Sequence, residues 1–263
     1  MMRLARIRMD DTAAYAVADQ DGYHLVEGDI FGDWKKTDRV LPADSATLLA
    51  PVEPPQIIAI GLNYRRHAKE SGMELPDHPL IFVKTLNTIT GPGMPIVLPK
   101  MAPAEVDFEA ELALVIGKRT RNVSEDDALD CLLGYTCAQD VSARDCQLRF
   151  DKQWARGKCF DTFAPIGPWI ETDLDGDNAG IRLTVNGQTM QNSNTADMIF
   201  GCRQLVSYVS QCMTLLPGSI ILTGTPEGVG FSRKPPIFLK AGDTTIVEIE
   251  GIGALTNTVE MED

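Results

Sequence analysis

Asp107, Glu109 and Glu111 alternate with apolar residues in Val106-Asp107-Phe108-Glu109-Ala110-Glu111-Leu112-Ala113-Leu114-Val115-Ile116-Gly117, a segment that otherwise reads as buried strand. Side chains alternate along a strand, so the pattern predicts the three acids on one face and Phe108, Ala110, Leu112 and Leu114 on the other. Ionised carboxylates two residues apart repel, and stripping water from them is costly unless a partner is supplied. A divalent cation is one such partner. Oxygen-only ligands select hard ions, Mg2+, Mn2+ or Ca2+, over zinc. A solvated strand face, or ion pairs with Lys or Arg, satisfies the same pattern and stays open at this level.

His67 and Glu70 form the second constellation. Three residues apart on a short predicted helix, they share a face, and a carboxylate beside an imidazole orients it and raises its basicity. The spacing also occurs in solvated surface pairs and in di-iron bundles. Scarcity and position favour chemistry: of only three histidines, His67 follows a glycine-ended strand, whereas His24 and His78 sit in polar, turn-like surroundings.

The elements that must position these groups follow from local pattern. Leu4 to Met9, Ala13 to Ala18 and Tyr23 to Val26 read as short strands, and Pro51-Val52-Glu53-Pro54-Pro55 interrupts regular structure. This divides the chain into a small N-terminal domain of α/β type, 1–50, and a catalytic domain, 51–263. Gln56 to Gly61 reads as an apolar strand, and Tyr64 to Ser71, before Gly72, as a helix. Ser124-Glu125-Asp126-Asp127 has the form of a capping box ahead of a helix over Ala128 to Leu133, stopped by Gly134. The strand Tyr135 to Ala138 runs into Asp140, which falls in a turn where metal ligands are well placed. A longer helix is expected from about Thr195 to Met213, followed by the strand Ser219 to Thr223. No repeat or regular βαβ alternation occurs, and the fold class expected is α+β with much mixed sheet.

Composition excludes several functions. The chain has 263 residues, 44% of them hydrophobic, and a net charge of −13, which disfavours nucleic acid and anionic membranes as partners. No apolar run approaches the roughly 18 residues of a membrane helix, and the N-terminus lacks the apolar core of a signal peptide, so a cytoplasmic protein is expected. The six cysteines show no CxxC spacing and read as reduced thiols. Thr223 to Gly230 is glycine-rich but matches neither a phosphate-binding loop nor a dinucleotide fingerprint. Asp173 to Asn178 fails the order of a calcium loop and reads as a solvated turn.

Six segments, in order, resemble the fumarylacetoacetate hydrolase family of metal-dependent enzymes. They are Gly61-Leu62-Asn63-Tyr64-Arg65-Arg66-His67, Pro79-Leu80-Ile81-Phe82-Val83-Lys84, Val106 to Leu112, Gln139-Asp140-Val141-Ser142-Ala143-Arg144-Asp145, Arg156-Gly157-Lys158-Cys159-Phe160-Asp161 and Thr223-Gly224-Thr225-Pro226-Glu227-Gly228-Val229-Gly230. The resemblance implies a β-rich catalytic fold of roll or sandwich form and a homodimer. It implies that Glu109, Glu111 and Asp140 bind Mg2+ or Mn2+, with Ca2+ as a non-native occupant, and that His67 and Glu70 form a base dyad on a lid helix. Lys158 resembles the family's active-site lysine, and Arg144, Gln147 and Thr225 its substrate contacts, with backbone N–H groups around Gly224 gripping a carboxylate.

One departure narrows the branch. The fumarylacetoacetase branch takes a further metal-binding carboxylate from the loop before its histidine, and Ile58 to Tyr64 contains no acid. The chain therefore resembles the smaller acylpyruvate-type branch, whose substrates are 2-oxo acids. The expected activity is metal-dependent hydrolysis of a C–C bond in a 2,4-diketo acid, releasing pyruvate. The alternatives are an oxaloacetate decarboxylase, an isomerase-decarboxylase of a related 2-oxo acid, a redox enzyme using the cysteines, or an inactive binding protein that kept the fold.

Overall fold

A computed structural model describes residues 2–9 and 12–263. Its centre is a mixed sheet whose main path runs Trp34–Leu41, Gly22–Gly28, Thr12–Asp19, Arg3–Met9, Ala164–Glu171, Leu132–Gln139, Ala110–Ile116, Ile220–Leu222, Ile57–Gly61 and Leu80–Lys84. A second sheet, of Gln188–Asn194, Gly180–Val185, Thr244–Ile249, Gly253–Met261 and Ile96–Leu98, packs on one face of it. The strand Ala110–Ile116 is buried throughout, so both of its faces are covered by packing. Leu112, Leu114 and Ile116 join Ile181, Leu183, Val247 and Leu255 of the second sheet in one core cluster. Ala113 and Val115 point the other way, into a cluster with Ile57, Ala59, Ile220 and Leu222. The chain adopts the expected mixed, sheet-rich architecture, with few helices.

Several local expectations are corrected. Among the described residues of the N-terminal part there is no α-helix: strands alternate with one 3-10 turn, Ala43–Ser45, so the α/β character is absent there. These strands extend the main sheet, since Arg3 and Leu4 pair with Glu171 and Ile170. The segment Val106–Gly117 is not one strand. Val106–Asp107 pairs with Ser142–Ala143, Ala110–Ile116 pairs with Leu132–Gln139, and the chain changes partner at Phe108 and Glu109. The helix expected over Ala128 to Leu133 is only a 3-10 turn, Leu129–Cys131, because Leu132, Leu133 and Gly134 are drawn into the strand beside it. Ser124 still caps, accepting from the Asp127 N–H at 3.2 Å.

The long helix begins late, as Cys202–Cys212. Asn63 prevents an earlier start: its amide accepts from the Phe200 N–H at 2.9 Å, its carbonyl oxygen from the Ile199 N–H at 2.7 Å, and these peptides cannot then make helical bonds. Asp177 caps the helix by accepting from the Cys202 N–H at 2.7 Å, so the loop read as a merely solvated turn has a structural task.

Candidate active site

Four strands converge on the site. Ala110–Ile116 runs antiparallel to Leu132–Gln139 and Ile220–Leu222, so its first residues meet their last ones, and Ile57–Gly61 lies parallel to Ile220–Leu222. Glu109 and Glu111 thereby stand beside Asp140, which follows Gln139, and beside the Thr223-Gly224-Thr225 turn. Gly224, at φ +93°, has to lack a side chain, since a Cβ would lie 2.8 Å from the Asn63 Cβ. Beyond Gly61 the chain turns into the helix Arg65–Ser71, ended by Gly72 in the left-handed conformation.

The carboxylates of Glu109, Glu111 and Asp140 are buried, and oxygens from all three lie within 4.8 Å of one another. Asp107, expected on their face, turns away, because the strand breaks after it. Its carboxylate accepts from the Gly230 N–H at 2.7 Å, the Phe231 N–H at 3.1 Å and Arg144 Nε at 2.8 Å. Lys158 Nζ donates to Glu109 at 2.8 Å and Asp140 at 2.6 Å, Arg144 donates to Glu109 at 2.6 Å, and Lys84 donates to Asp140. The ion-pair reading and the metal reading of the acidic strand therefore meet in one place.

The charges do not cancel. Four buried carboxylates face three buried cations, and among the described residues Glu111 touches none of the three, its one hydrogen bond coming from the Gly224 N–H at 2.7 Å. Burial, followed by the charges of Asp140 and Glu109, pushes the Glu111 carboxyl well above the usual range. Burial acts the same way on Glu109, but Arg144 and Lys158 outweigh it and hold that carboxyl low. Lys158 loses to burial and gains more from Asp140 and Glu109, so its ammonium is favoured. An all-oxygen, buried set with uncompensated negative charge fits a hard divalent cation such as Mg2+ or Mn2+.

His67 and Glu70 meet as expected, with Nδ1 2.8 Å from Glu70 Oε1. Glu70 also accepts from the Gly228 N–H at 3.0 Å. Burial raises the Glu70 carboxyl, yet the hydrogen bonds from His67 and Gly228 overcome it and leave the group below its ordinary value.

A cavity of about 140 Å3 is lined by His67, Glu109, Glu111, Asp140, Arg144, Gln147, Lys158 and Thr225. Glu70 and Gly224 stand outside this wall, each holding a residue that is in it. The Gly224 N–H is committed to Glu111, and Thr225 Oγ1 donates to the Ala110 carbonyl at 2.9 Å while accepting from Gln191 at 2.8 Å. Arg144 donates to Gln147 at 2.8 Å, and the Phe231 ring lies 4.4 Å from its guanidinium carbon. Sequence reasoning gave no role to Lys84, Gln191 or Phe231. Lys84 carried a usable signal, a cation ending an apolar strand, whereas Gln191 and Phe231 reach the site only through the tertiary fold.

A buried carboxylate triad beside an imidazole–carboxylate dyad, at the ends of a mixed sheet, has the makeup of an enzyme active site. The family model described as fumarylacetoacetate (FAA) hydrolase C-terminal matches residues 56–260, and one described as Rv2993c-like, N-terminal matches residues 2–51. The chain belongs to the fumarylacetoacetate hydrolase family of enzymes. It is 50% identical to the Dictyostelium discoideum fumarylacetoacetate hydrolase domain-containing protein 2 homolog, over 85% of this chain and 77% of that one. It is 49% identical to the Xenopus laevis protein named oxaloacetate tautomerase fahd2, mitochondrial, over 84% of this chain and 70% of that one. A Mycobacterium smegmatis structure titled 5-carboxymethyl-2-hydroxymuconate delta-isomerase superposes with a TM-score of 0.90 at 44% identity, covering 99% of this chain and 100% of that one. Among the described residues no helix is long and apolar enough to cross a membrane.

Proposed function

We propose that this protein is a divalent-metal-dependent enzyme that moves a proton between carbon and oxygen of a small 2-oxo acid of the oxaloacetate type, interconverting its enol and keto forms. The observation that carries this reading is that His67, oriented by Glu70, lines the same cavity as Glu109, Glu111 and Asp140. Held by those three carboxylates, Mg2+ or Mn2+ would polarise the 2-oxo group and offset the negative charge of the enol form. Nδ1 of His67 faces Glu70, which leaves Nε2 as the nitrogen that gives and takes the substrate proton. Glu70 keeps the ring in one orientation. Arg144 and Lys158 keep Glu109 ionised, Lys158 also holds Asp140 in place, and Phe231, Trp154 and Met73 narrow the cavity against water.

The names of relatives support the same reading, since tautomerase and isomerase both describe proton relocation next to a carbonyl. Hydrolysis of an acylpyruvate, the activity expected from sequence, is the second reading. The ionised Glu70 favours it, because a dyad with a permanent carboxylate also activates water. Oxaloacetate decarboxylation is a third use of the same cavity. A homodimer and a cytosolic setting belong to this proposal as well, tested by sedimentation and by fractionation.

The deciding experiment follows the ultraviolet absorbance of enolic oxaloacetate with purified protein and Mg2+ or Mn2+, alongside pyruvate release from oxaloacetate and from acylpyruvates. Catalysed loss of the enol signal without matching pyruvate supports the tautomerase. Pyruvate from acylpyruvates at a far higher rate overturns it in favour of the hydrolase.

A further inference from the structure

Ser71 ends the helix that carries His67 and Glu70. Four residues after His67, it lies one turn along the same face. It lines the cavity with His67 and the triad. Its hydroxyl is shut off from solvent, and among the described residues nothing donates to it or accepts from it. Buried hydroxyls are hydrogen-bonded almost without exception, and a helical serine has the carbonyl four residues back within reach. Ser71 uses neither option.

The buried cations of the cavity are engaged. Arg144 holds Asp107, Glu109 and Gln147, and Lys158 holds Glu109 and Asp140. Met73, Phe82, Leu148 and Trp154 make the rest of the wall apolar. An unpaired hydroxyl in such a wall is a polar contact reserved for something that enters the cavity.

We infer that the Ser71 hydroxyl binds the oxygen-bearing group on carbon 4 of the substrate, next to the carbon whose proton His67 moves. The inference rests on the function proposed above. With the carboxylate and 2-oxo oxygens at the triad end of the cavity and carbon 3 at His67, the oxygen-bearing group on carbon 4 extends toward the next turn of the helix, where Ser71 lines the wall. A carboxylate or ketone there accepts the Ser71 proton, and a methyl group cannot. Ser71 thus separates four-carbon 2-oxo diacids and 2,4-diketo acids from plain 2-oxo monoacids.

The test titrates oxaloacetate and 2-oxobutyrate, which carries a methyl group at carbon 4, into wild type and Ser71→Ala by calorimetry with Mg2+ in excess. Loss of one such hydrogen bond weakens oxaloacetate binding about tenfold and leaves 2-oxobutyrate unchanged, the second titration doubling as proof of a folded site. Equal affinity of wild type and variant for oxaloacetate, or equal losses for both acids, overturns the assignment. So does a wild type that binds neither acid. A wild type that shows the selective loss but turns over no 2-oxo acid overturns the proposed function and leaves the role of Ser71 supported.

Discussion

Nδ1 of His67 lies 2.8 Å from Oε1 of Glu70, and that same carboxylate accepts from the Gly228 N–H at 3.0 Å. Glu70 therefore ties the helix Arg65–Ser71 to the glycine-rich loop as well as orienting the imidazole. Arg66 adds an ion pair to Glu227 at 3.0 Å on the same loop. The glycine-rich segment, which matches no nucleotide-binding pattern, serves here as the anchor of the dyad.

The pH dependence of stability follows from this anchor. Glu70 titrates lower in the folded protein than its ordinary 4.5, so the folded state favours its ionised form. Its contribution is fully present above about pH 4.5 and is lost as the pH falls through the lower folded value. Glu70→Gln is expected to melt below wild type at pH 7, with the gap closing as the pH drops below 4. A gap that stayed constant from pH 7 to pH 3 in thermal melts would show that the carboxylate charge is not what holds the helix.

A second outcome concerns Glu111, whose carboxylate has no cation partner among the described residues. In EDTA, Glu111→Gln relieves repulsion from Asp140 and Glu109, so the variant is expected to melt no lower than wild type. Metal reverses the order: a cation at one hundred times its dissociation constant adds about 2.7 kcal/mol to the wild type, or roughly 5–10 °C for a chain of this size, and nothing to the variant. Differential scanning fluorimetry with and without Mn2+ checks both halves. A variant with an undiminished metal-induced rise would remove Glu111 from the ligand set.

Asp107 separates structural acids from metal-binding ones. It is fully buried and joins Arg144 to the backbone of Gly230 and Phe231. Asp107→Ala leaves Arg144 short of a partner in the interior, a change that costs about 3–5 kcal/mol. Mn2+ affinity, measured calorimetrically on the folded fraction, should stay near the wild-type value, whereas Glu109→Ala should abolish it. Loss of metal binding in both variants would return Asp107 to the ligand set first suggested by its place in the sequence.

These contrasts show which parts of the molecule the chain advertises. Glu109, Glu111 and Asp140 were legible because carboxylates inside or at the end of apolar strands break a strong local pattern. His67 was legible through its spacing from Glu70. Trp34–Leu41 was not, because it is a mostly exposed edge strand with no buried face to impose alternation. The late start of the helix Cys202–Cys212 was hidden for another reason: Asn63, more than one hundred residues away, takes the backbone of Ile199 and Phe200. Asp107 was misplaced because a change of pairing partner leaves no trace in periodicity, and Ser71 looked like an ordinary helix end until the cavity beside it was known.

The remaining expectation distinguishes the competing chemistries by what each asks of His67. Enol–keto interconversion needs a group that delivers a proton to one atom and removes it from another, and among the described histidines only His67 lines the cavity. Replacing it with Ala should slow interconversion about 10²–10⁴-fold, the usual contribution of general acid–base catalysis, while Mn2+ binding persists because the carboxylates are untouched. Acylpyruvate hydrolysis would fall by a similar factor, since water activation depends on the same imidazole. Decarboxylation of oxaloacetate breaks a bond without an attacking water, so it should decline far less. Rates on enolic oxaloacetate, on pyruvate release from oxaloacetate and on an acylpyruvate, all at saturating metal, separate the cases. A His67→Ala protein that interconverts enol and keto forms at the wild-type rate would rule out the dyad as the proton carrier and leave the triad alone to account for the activity.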